Sequence, residues 1–143
     1  MRRVLLAALL VGLILGADEK KGGKKDLDLF KGGWTIASLV LDGKTNDDAS
    51  GGKFTFDGEN MVVQIEDKEH KATFKLDASK KPKQMDVTPS DGPEKDKVLE
   101  GIYALTDDEL KICIAHHAGT ERPKEFESKE GTGHLLVTLK RAK

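Results

Sequence analysis

Short segments in which apolar and polar residues alternate run through most of the chain, and they constrain its fold more than any other feature. The clearest covers residues 70–76, where three apolar side chains are separated by polar ones: Ala72, Phe74 and Leu76. Successive side chains of a β-strand point to opposite faces, so this pattern predicts a strand with one buried and one solvated face. No long helical period follows residue 25, and the chain is therefore predicted to be all-β.

About eight such strands are expected, with turn residues such as Asp57-Gly58 between them. The predicted strands cover residues 34–41, 53–56, 61–65, 70–76, 84–88, 97–105, 109–115 and 134–140. Eight antiparallel strands can close into an up-and-down barrel, which removes the exposed edges of an open sheet. A two-sheet sandwich is the alternative. The first strand, apolar at nearly every position, is expected to be buried on both faces or covered by a short helix.

The stretch that leads into the first strand predicts how one end of the barrel is closed. A short helical turn, residues 26–31, runs into Gly32-Gly33 and then into Trp34, the single tryptophan of the chain. The glycines let the backbone bend sharply. A lone tryptophan here has to bury a large ring, so Trp34 is predicted to plug one end of the barrel.

The first 25 residues are predicted to lie outside the folded domain. Arg2 and Arg3 precede an apolar run from Val4 to Leu15, and this order is typical of a secretory signal. The apolar run is shorter than the roughly 20 residues that a membrane-spanning helix needs. We interpret residues 1–17 as a signal peptide, 18–25 as a flexible linker and 26–143 as the domain. Cleavage after Ala17 predicts a secreted or periplasmic protein with no membrane span; retention of the leader as an anchor is the competing interpretation.

Charge and cysteine content exclude some classes of partner and bond. The net charge is -1 with both signs mixed along the chain, so no nucleic-acid footprint is present. Cys113 is the only cysteine, and no disulfide can form within the chain. It is expected to be a small buried residue rather than an intermolecular bridge. The oligomeric state is left open.

The segment Gly32-x-Trp34 resembles the G-x-W signature of lipocalins and related calycin barrels. The resemblance implies that Trp34 closes the barrel floor and that a basic residue near the end of the last strand, here Arg141, packs on it. More widely, residues 26–141 resemble a small secreted lipocalin-like domain of unknown function, best known from planctomycetes. The matching pieces include Leu41-Asp42-Gly43-Lys44, Phe54-x-Phe56-x-Gly58, Lys81-Pro82-Lys83, Gly101-Ile102-Tyr103 and Arg122-Pro123-x-x-Phe126. This resemblance implies a fold and secretion but no activity.

Few residues suggest chemistry. His116-His117 could contribute to a metal site with Glu121, Glu125 or His134, but no paired metal-ligand spacing supports one, and solvated loop histidines are expected. Pro123 fixes the backbone of the segment 122–126, and Phe126 is expected to pack into the barrel mouth or against the outer wall. We interpret this segment as a structural lid; direct contact with a ligand is the alternative. No Ser-His-Asp pattern, Gly-rich phosphate loop or nucleophile elbow is visible. We therefore expect no enzyme activity, no metal and no cofactor.

The residues expected to point inward are mainly apolar, which suits a small hydrophobic ligand. The candidate ligand-binding residues are Trp34, Phe54, Phe56, Met61, Phe74, Met85 and Tyr103. Side chains this bulky could instead fill the interior. The barrel would then be a scaffold that binds a protein or a cell-envelope component through the loops 46–52 and 116–133.

Overall fold

The computed structural model describes residues 26–142, in which a short helix over residues 26–30 (α1) precedes nine strands. The strands are β1 (Gly32–Leu41), β2 (Lys44–Thr45), β3 (Lys53–Asp57), β4 (Asn60–Ile65), β5 (Lys68–Asp77), β6 (Lys83–Pro89), β7 (Leu99–Leu105), β8 (Glu109–Ala115) and β9 (His134–Arg141). A 3₁₀ helix, Asp47–Ala49, lies between β2 and β3. The predicted signal peptide and linker lie outside the described residues, among which no helix is both long and apolar enough to cross a membrane.

Eight of these strands form one closed antiparallel barrel. β1 pairs with β3, each later strand pairs with the next, and β9 returns to pair with β1. β2 only extends β1 by a two-residue hairpin. The predicted eight-stranded up-and-down barrel and the helical turn before it are confirmed, and the sandwich alternative is wrong.

Because the strands run in alternating directions, the barrel has two distinct ends. At one, α1 meets the start of β1, the end of β9 and the turns after β3, β5 and β7; we call it the closed end. At the other lie the segments 42–52, 66–67, 90–98 and 116–133; we call it the loop end.

The expectation that β1 is buried on both faces is wrong. The register of β1 against β9 shifts between Ile36 and Ser38, which places a β-bulge at Ala37. Trp34, Ile36 and Leu39 are buried, whereas Ala37 is exposed. The bulge moves the inward face by one residue, so two alternating patterns in sequence look like one continuous apolar run.

A second small apolar layer lies outside the barrel, under the segment 116–133, which we call the strap. Ile102 and Cys113 are opposite each other on β7 and β8, point outward, and are buried. Pro123 of the strap is also buried, and Cys113 Sγ donates to the carbonyl of Glu127 at 3.4 Å. The prediction that Cys113 is a buried residue is confirmed, and its burial raises the pKa of the thiol.

Candidate binding surfaces at the two ends of the barrel

The structure brings the seven predicted ligand-binding residues together inside the barrel. Each exposes 6% or less of its surface: Trp34, Phe54, Phe56, Met61, Phe74, Met85 and Tyr103. Exposure of 1% or less at Trp34, Phe56, Phe74, Met85 and Tyr103 leaves no water-sized space against those side chains. At the closed end these residues therefore form a packed core.

Phe30 of α1 accounts for much of this packing, and the sequence analysis did not place it in the interior. Its ring is fully buried, with its centroid 5.1 Å from that of Phe56, 5.7 Å from Phe74 and 5.2 Å from Tyr103. These spacings are typical of favourable aromatic pairs. A single helical turn is too short to show a helical period, so the sequence pattern could not predict that Phe30 points inward. α1 thus inserts an aromatic ring into the barrel at its closed end.

The predicted contact between Trp34 and Arg141 is confirmed. The guanidinium carbon lies 4.2 Å from the centroid of the tryptophan ring. Arg141 Nη2 also donates to the carbonyl of Leu29 at 3.1 Å, and Trp34 Nε1 donates to the carbonyl of Phe30 at 2.8 Å. Two backbone carbonyls of α1 are therefore satisfied by the ends of β1 and β9, which fixes the helix against the barrel.

A buried carboxylate makes a further link at the closed end. Asp26 is 6% exposed, and its Oδ2 accepts hydrogen bonds from Tyr103 Oη at 2.7 Å and Lys83 Nζ at 2.9 Å. Burial, followed by the hydrogen bond to Asp26, raises the pKa of Tyr103. These two hydrogen bonds anchor α1 to β6 and β7.

The loop end has a different lining. Six apolar side chains there are only partly buried and pack on the core below them: Leu41, Val63, Ile65, Ala72, Leu99 and Leu135. Each shares its inward face with core residues of the same strand, as Leu99 does with Tyr103. Ala49 of the 3₁₀ helix is fully buried and covers one side of this end. A shallow apolar ring thus remains accessible above the packed core.

Hydrogen bonds between loops fix the surroundings of this ring. The carboxylate of Asp42, after β1, accepts from the backbone N–H of Gly133 at 3.0 Å. That bond is the main reason why the pKa of Asp42 is below its usual value. The next residue, Gly43, donates its N–H to Ser128 Oγ at 3.1 Å, and Ser128 in turn donates to the carbonyl of His134.

The histidine pair takes part in a similar loop contact. Glu94 Oε1 accepts from the backbone N–H of Ala118 at 2.8 Å and lies 3.3 Å from His117 Nδ1. The Ala118 bond is the largest cause of the lowered pKa of Glu94. Burial, then the neighbouring His117, lowers the pKa of His116. Across residues 26–142, no group of three or more histidine, cysteine or acidic side chains could hold a metal ion.

The strap is attached to the outer wall mainly by Arg122. Its Nη1 donates to the carbonyl of Gly101 at 2.8 Å, and its Nη2 lies 3.0 Å from Glu100 and 2.8 Å from Asp86. Asp86 and Glu100 are opposite each other on β6 and β7, where two like charges repel. The positive charge of Arg122 offsets this repulsion and attaches the strap to the outer wall of β6 and β7.

Fold and closed end together define a lipocalin-like barrel: eight antiparallel strands, a helix across one end, and an arginine stacked on the tryptophan of the first strand. Comparisons with known protein families, curated proteins and solved structures gave no match to this chain. The class of fold therefore rests on the geometry alone.

Proposed function

We propose that the protein is a non-catalytic binding module that docks a protein partner on its loop end. The observation that carries this proposal is the ring of six partly buried apolar side chains, surrounded by charged loops. An apolar centre with a polar rim is the usual anatomy of a protein interface. The hydrogen bonds of Asp42, Ser128 and Glu94 hold the loops in place, which reduces the entropy lost on binding.

Two leucines on one strand offer a matched experiment. Leu99 lies at the loop end of β7 and Leu105 at its closed end, and both are partly buried against the core. Partners captured from cell-envelope extract by the unaltered protein should be lost with Leu99→Asn and kept with Leu105→Asn. Circular dichroism should show both variants folded. Equal capture by both would mean that the loop end is not the docking surface.

The second candidate is a small hydrophobic ligand, as the inward residues suggested. The packed core restricts such a ligand to the loop end, where the apolar ring offers a shallow seat. NMR titration with fatty acids and retinoids would test it. Shifts of the Val63, Ile65 and Leu99 methyl groups, with Phe30 and Trp34 unaffected, would favour this candidate.

The proposal extends to the location and ancestry of the chain. A secreted or periplasmic protein, released by cleavage after Ala17, would meet partners of the cell envelope. Membership of the small secreted lipocalin-like family, which the sequence resemblance suggests, would agree with this location. Mass spectrometry of the exported protein tests the cleavage site: an N-terminus at Asp18 is expected. An intact leader would favour the membrane-anchor alternative.

A further inference from the structure

The strap covers part of an apolar row on the outer wall of the barrel. Strand register places four outward side chains side by side: Ile102 of β7, Cys113 of β8, Leu136 of β9 and Val40 of β1. Ile102 and Cys113, under the strap, are 1% and 0% exposed, whereas Leu136 and Val40 are only partly buried. Outward side chains of a barrel are in water unless another segment covers them, so the strap keeps apolar surface out of solvent.

Side chains, rather than the backbone, attach the strap to the strands. Among the described residues, each backbone-to-backbone hydrogen bond of the strap joins two of its own residues. Residues 119–127, which we call the flap, are bonded to the rest of the described chain through Arg122 and two carbonyl groups. The carbonyl of Glu127 accepts from Cys113 Sγ, and that of Glu121 accepts from His134 Nε2 at 2.9 Å. Segments with so few bonds to the sheet open at a lower free energy than the whole domain.

The strap is fixed on both sides of the flap. Before it, the N–H of Ala118 is bonded to Glu94, and after it, Ser128 Oγ is bonded to Gly43 and to the carbonyl of His134. The first residue of the flap, Gly119, has a φ of 88°, and a Cβ there would meet nothing within 4 Å. Glycine adopts many backbone conformations without steric cost, so the chain can change direction at this point.

Arg122 makes the strongest of the flap's attachments. Its guanidinium lies between the carboxylates of Asp86 and Glu100 and also donates to the carbonyl of Gly101. Hydrogen bonds between charged groups are about twice as strong as neutral ones. Asp86 Oδ1 is enclosed and accepts no hydrogen bond within the described chain, so its ion pair with Arg122 is what offsets its charge.

We propose that the flap opens about Gly119 while the barrel stays folded, and that Arg122 is the contact that holds it closed. Opening separates the guanidinium from Asp86 and Glu100 and exposes Ile102 and the thiol of Cys113. Because these charges are partly exposed, salt weakens their attraction and favours the open flap. The outer apolar row would then be uncovered according to ionic conditions, independently of docking at the loop end.

Cys113 is the only thiol of the chain, so its alkylation reports opening. The thiolate displaces iodide from iodoacetamide, a neutral reagent, and a thioether forms on the protein. The labelling rate, followed by mass spectrometry, should at least double between about 0.1 M and about 1 M NaCl, where the screening length falls from about 10 Å to about 3 Å. The rate should depend only weakly on low urea concentrations, because an open flap exposes far less surface than the unfolded chain.

Variants of the flap test the role of Arg122. Arg122→Gln should label about tenfold faster at low salt and lose the salt dependence, because the charged contacts are gone. Arg122→Lys keeps the charge without the forked donor, so it should label at an intermediate rate and stay salt-dependent. Lys124→Gln is the matched control: its side chain is 85% exposed and pairs with Glu121 of the flap itself. It should label like the unaltered protein. Near-ultraviolet circular dichroism should show that all three variants are folded.

Four results would overturn the proposal. A urea dependence as steep as that of global unfolding would show that the flap does not open alone. An unchanged rate in Arg122→Gln would mean that Arg122 does not hold the flap closed. Equal acceleration by Lys124→Gln would attribute the effect to the charge of the flap in general. Hydrogen exchange provides the last test, because the amides of β9 should stay protected during labelling. Exchange of β9 at the labelling rate would mean that loss of this strand exposes the thiol.

Discussion

The two ends of this barrel are stabilised by different physical means. At the closed end, Phe30 and Trp34 bury aromatic rings completely, and the polar links that remain join α1 to the barrel. At the loop end, apolar side chains such as Leu99 stay partly exposed, and the carboxylates of Asp42 and Glu94 bond to backbone N–H groups of other loops.

This difference assigns most of the stability to the closed end and leaves the loop end free to bind a partner. Buried rings contribute through their area and their packing, and they leave no surface for a partner. Single hydrogen bonds between loops contribute modestly to stability, yet they hold the loops in one arrangement. Substitutions at the closed end should therefore decide whether the protein folds. Substitutions at the loop end should have little effect on stability but should impair binding.

The largest effect is expected for Trp34→Ala. It should lower the free energy of unfolding by about 3–5 kcal/mol, the range for deletion of a large core aromatic. Leu99→Ala, at the loop end, should lower it by only about 1–2 kcal/mol, because its side chain is already partly in water. Urea denaturation of both variants provides the measurement. Equal losses would remove the distinction between the two ends.

Tyr103→Phe should lower the free energy of unfolding by about 1.5–3 kcal/mol. The phenol is the buried donor to Asp26, and hydrogen bonds to charged groups contribute this much. Thermal unfolding monitored by near-ultraviolet circular dichroism is a suitable assay. The control is Tyr103→Phe combined with Asp26→Asn, whose losses should not add, because the two residues are in contact. Additive losses would contradict the link between α1 and β7.

Arg141→Ala should lower the free energy of unfolding by about 0.5–2 kcal/mol, through loss of the cation–π contact and of packing on Trp34. A double-mutant cycle with Trp34→Phe isolates the contact energy. Lys140→Ala is a neighbouring control, since Lys140 is exposed and pairs with Glu109 on the outer face. A coupling energy near zero would show that the guanidinium and the ring are close without interacting.

The link between α1 and β7 at the closed end and the carboxylates of Asp42 and Glu94 at the loop end should respond to opposite extremes of pH. The folded pKa of Tyr103 is raised above its usual 10.0, so its contribution is complete below pH 10.0 and is lost as the pH rises through the folded value. The folded pKa values of Asp42 and Glu94 are lowered from 3.8 and 4.5, so their contributions are present above those values and are lost as the pH falls below them.

Hydrogen exchange measured by mass spectrometry across this pH range separates the two effects. Acid should release the N–H groups of Gly133 and Ala118 first, and alkali should loosen α1 first. Glu94→Gln, which removes the titrating carboxylate, should leave exchange near Ala118 insensitive to acid. Loss of protection at α1 together with Gly133 and Ala118, at either extreme, would contradict the comparison.

Alternation of apolar and polar residues was enough to predict the eight strands, the barrel and the inward residues of β3 to β9. The G-x-W resemblance was enough to predict the contact of Trp34 with Arg141. Phe30 and Asp26 were not found, because their burial follows from how one helical turn is placed against the barrel. The bulge at Ala37 was not found either, since it depends on the register of β1 against β9.

The candidate surfaces were harder to predict than the fold. The seven candidate residues were expected inside the barrel, and they are there, but only the three-dimensional packing shows that Phe30 lies against three of them. The apolar ring at the loop end combines residues of several strands, such as Val63, Leu99 and Leu135, so each looks like any other inward residue in sequence. Sequence patterns predict whether a side chain points into or out of the barrel. They do not predict which residues of the other strands lie beside it, and these surfaces depend on that.

The pairing of β1 with β9 has a consequence for synthesis and folding. Arg141 donates to the carbonyl of Leu29, which lies 112 positions earlier in the sequence. β1 therefore cannot pair with β9 until nearly the whole domain has been synthesised. Contacts of such long sequence separation slow folding. Until β9 arrives, β1 and β8 present unpaired edges that can recruit other chains. A nascent barrel of this topology is therefore most vulnerable to aggregation just before its last eight-residue strand emerges.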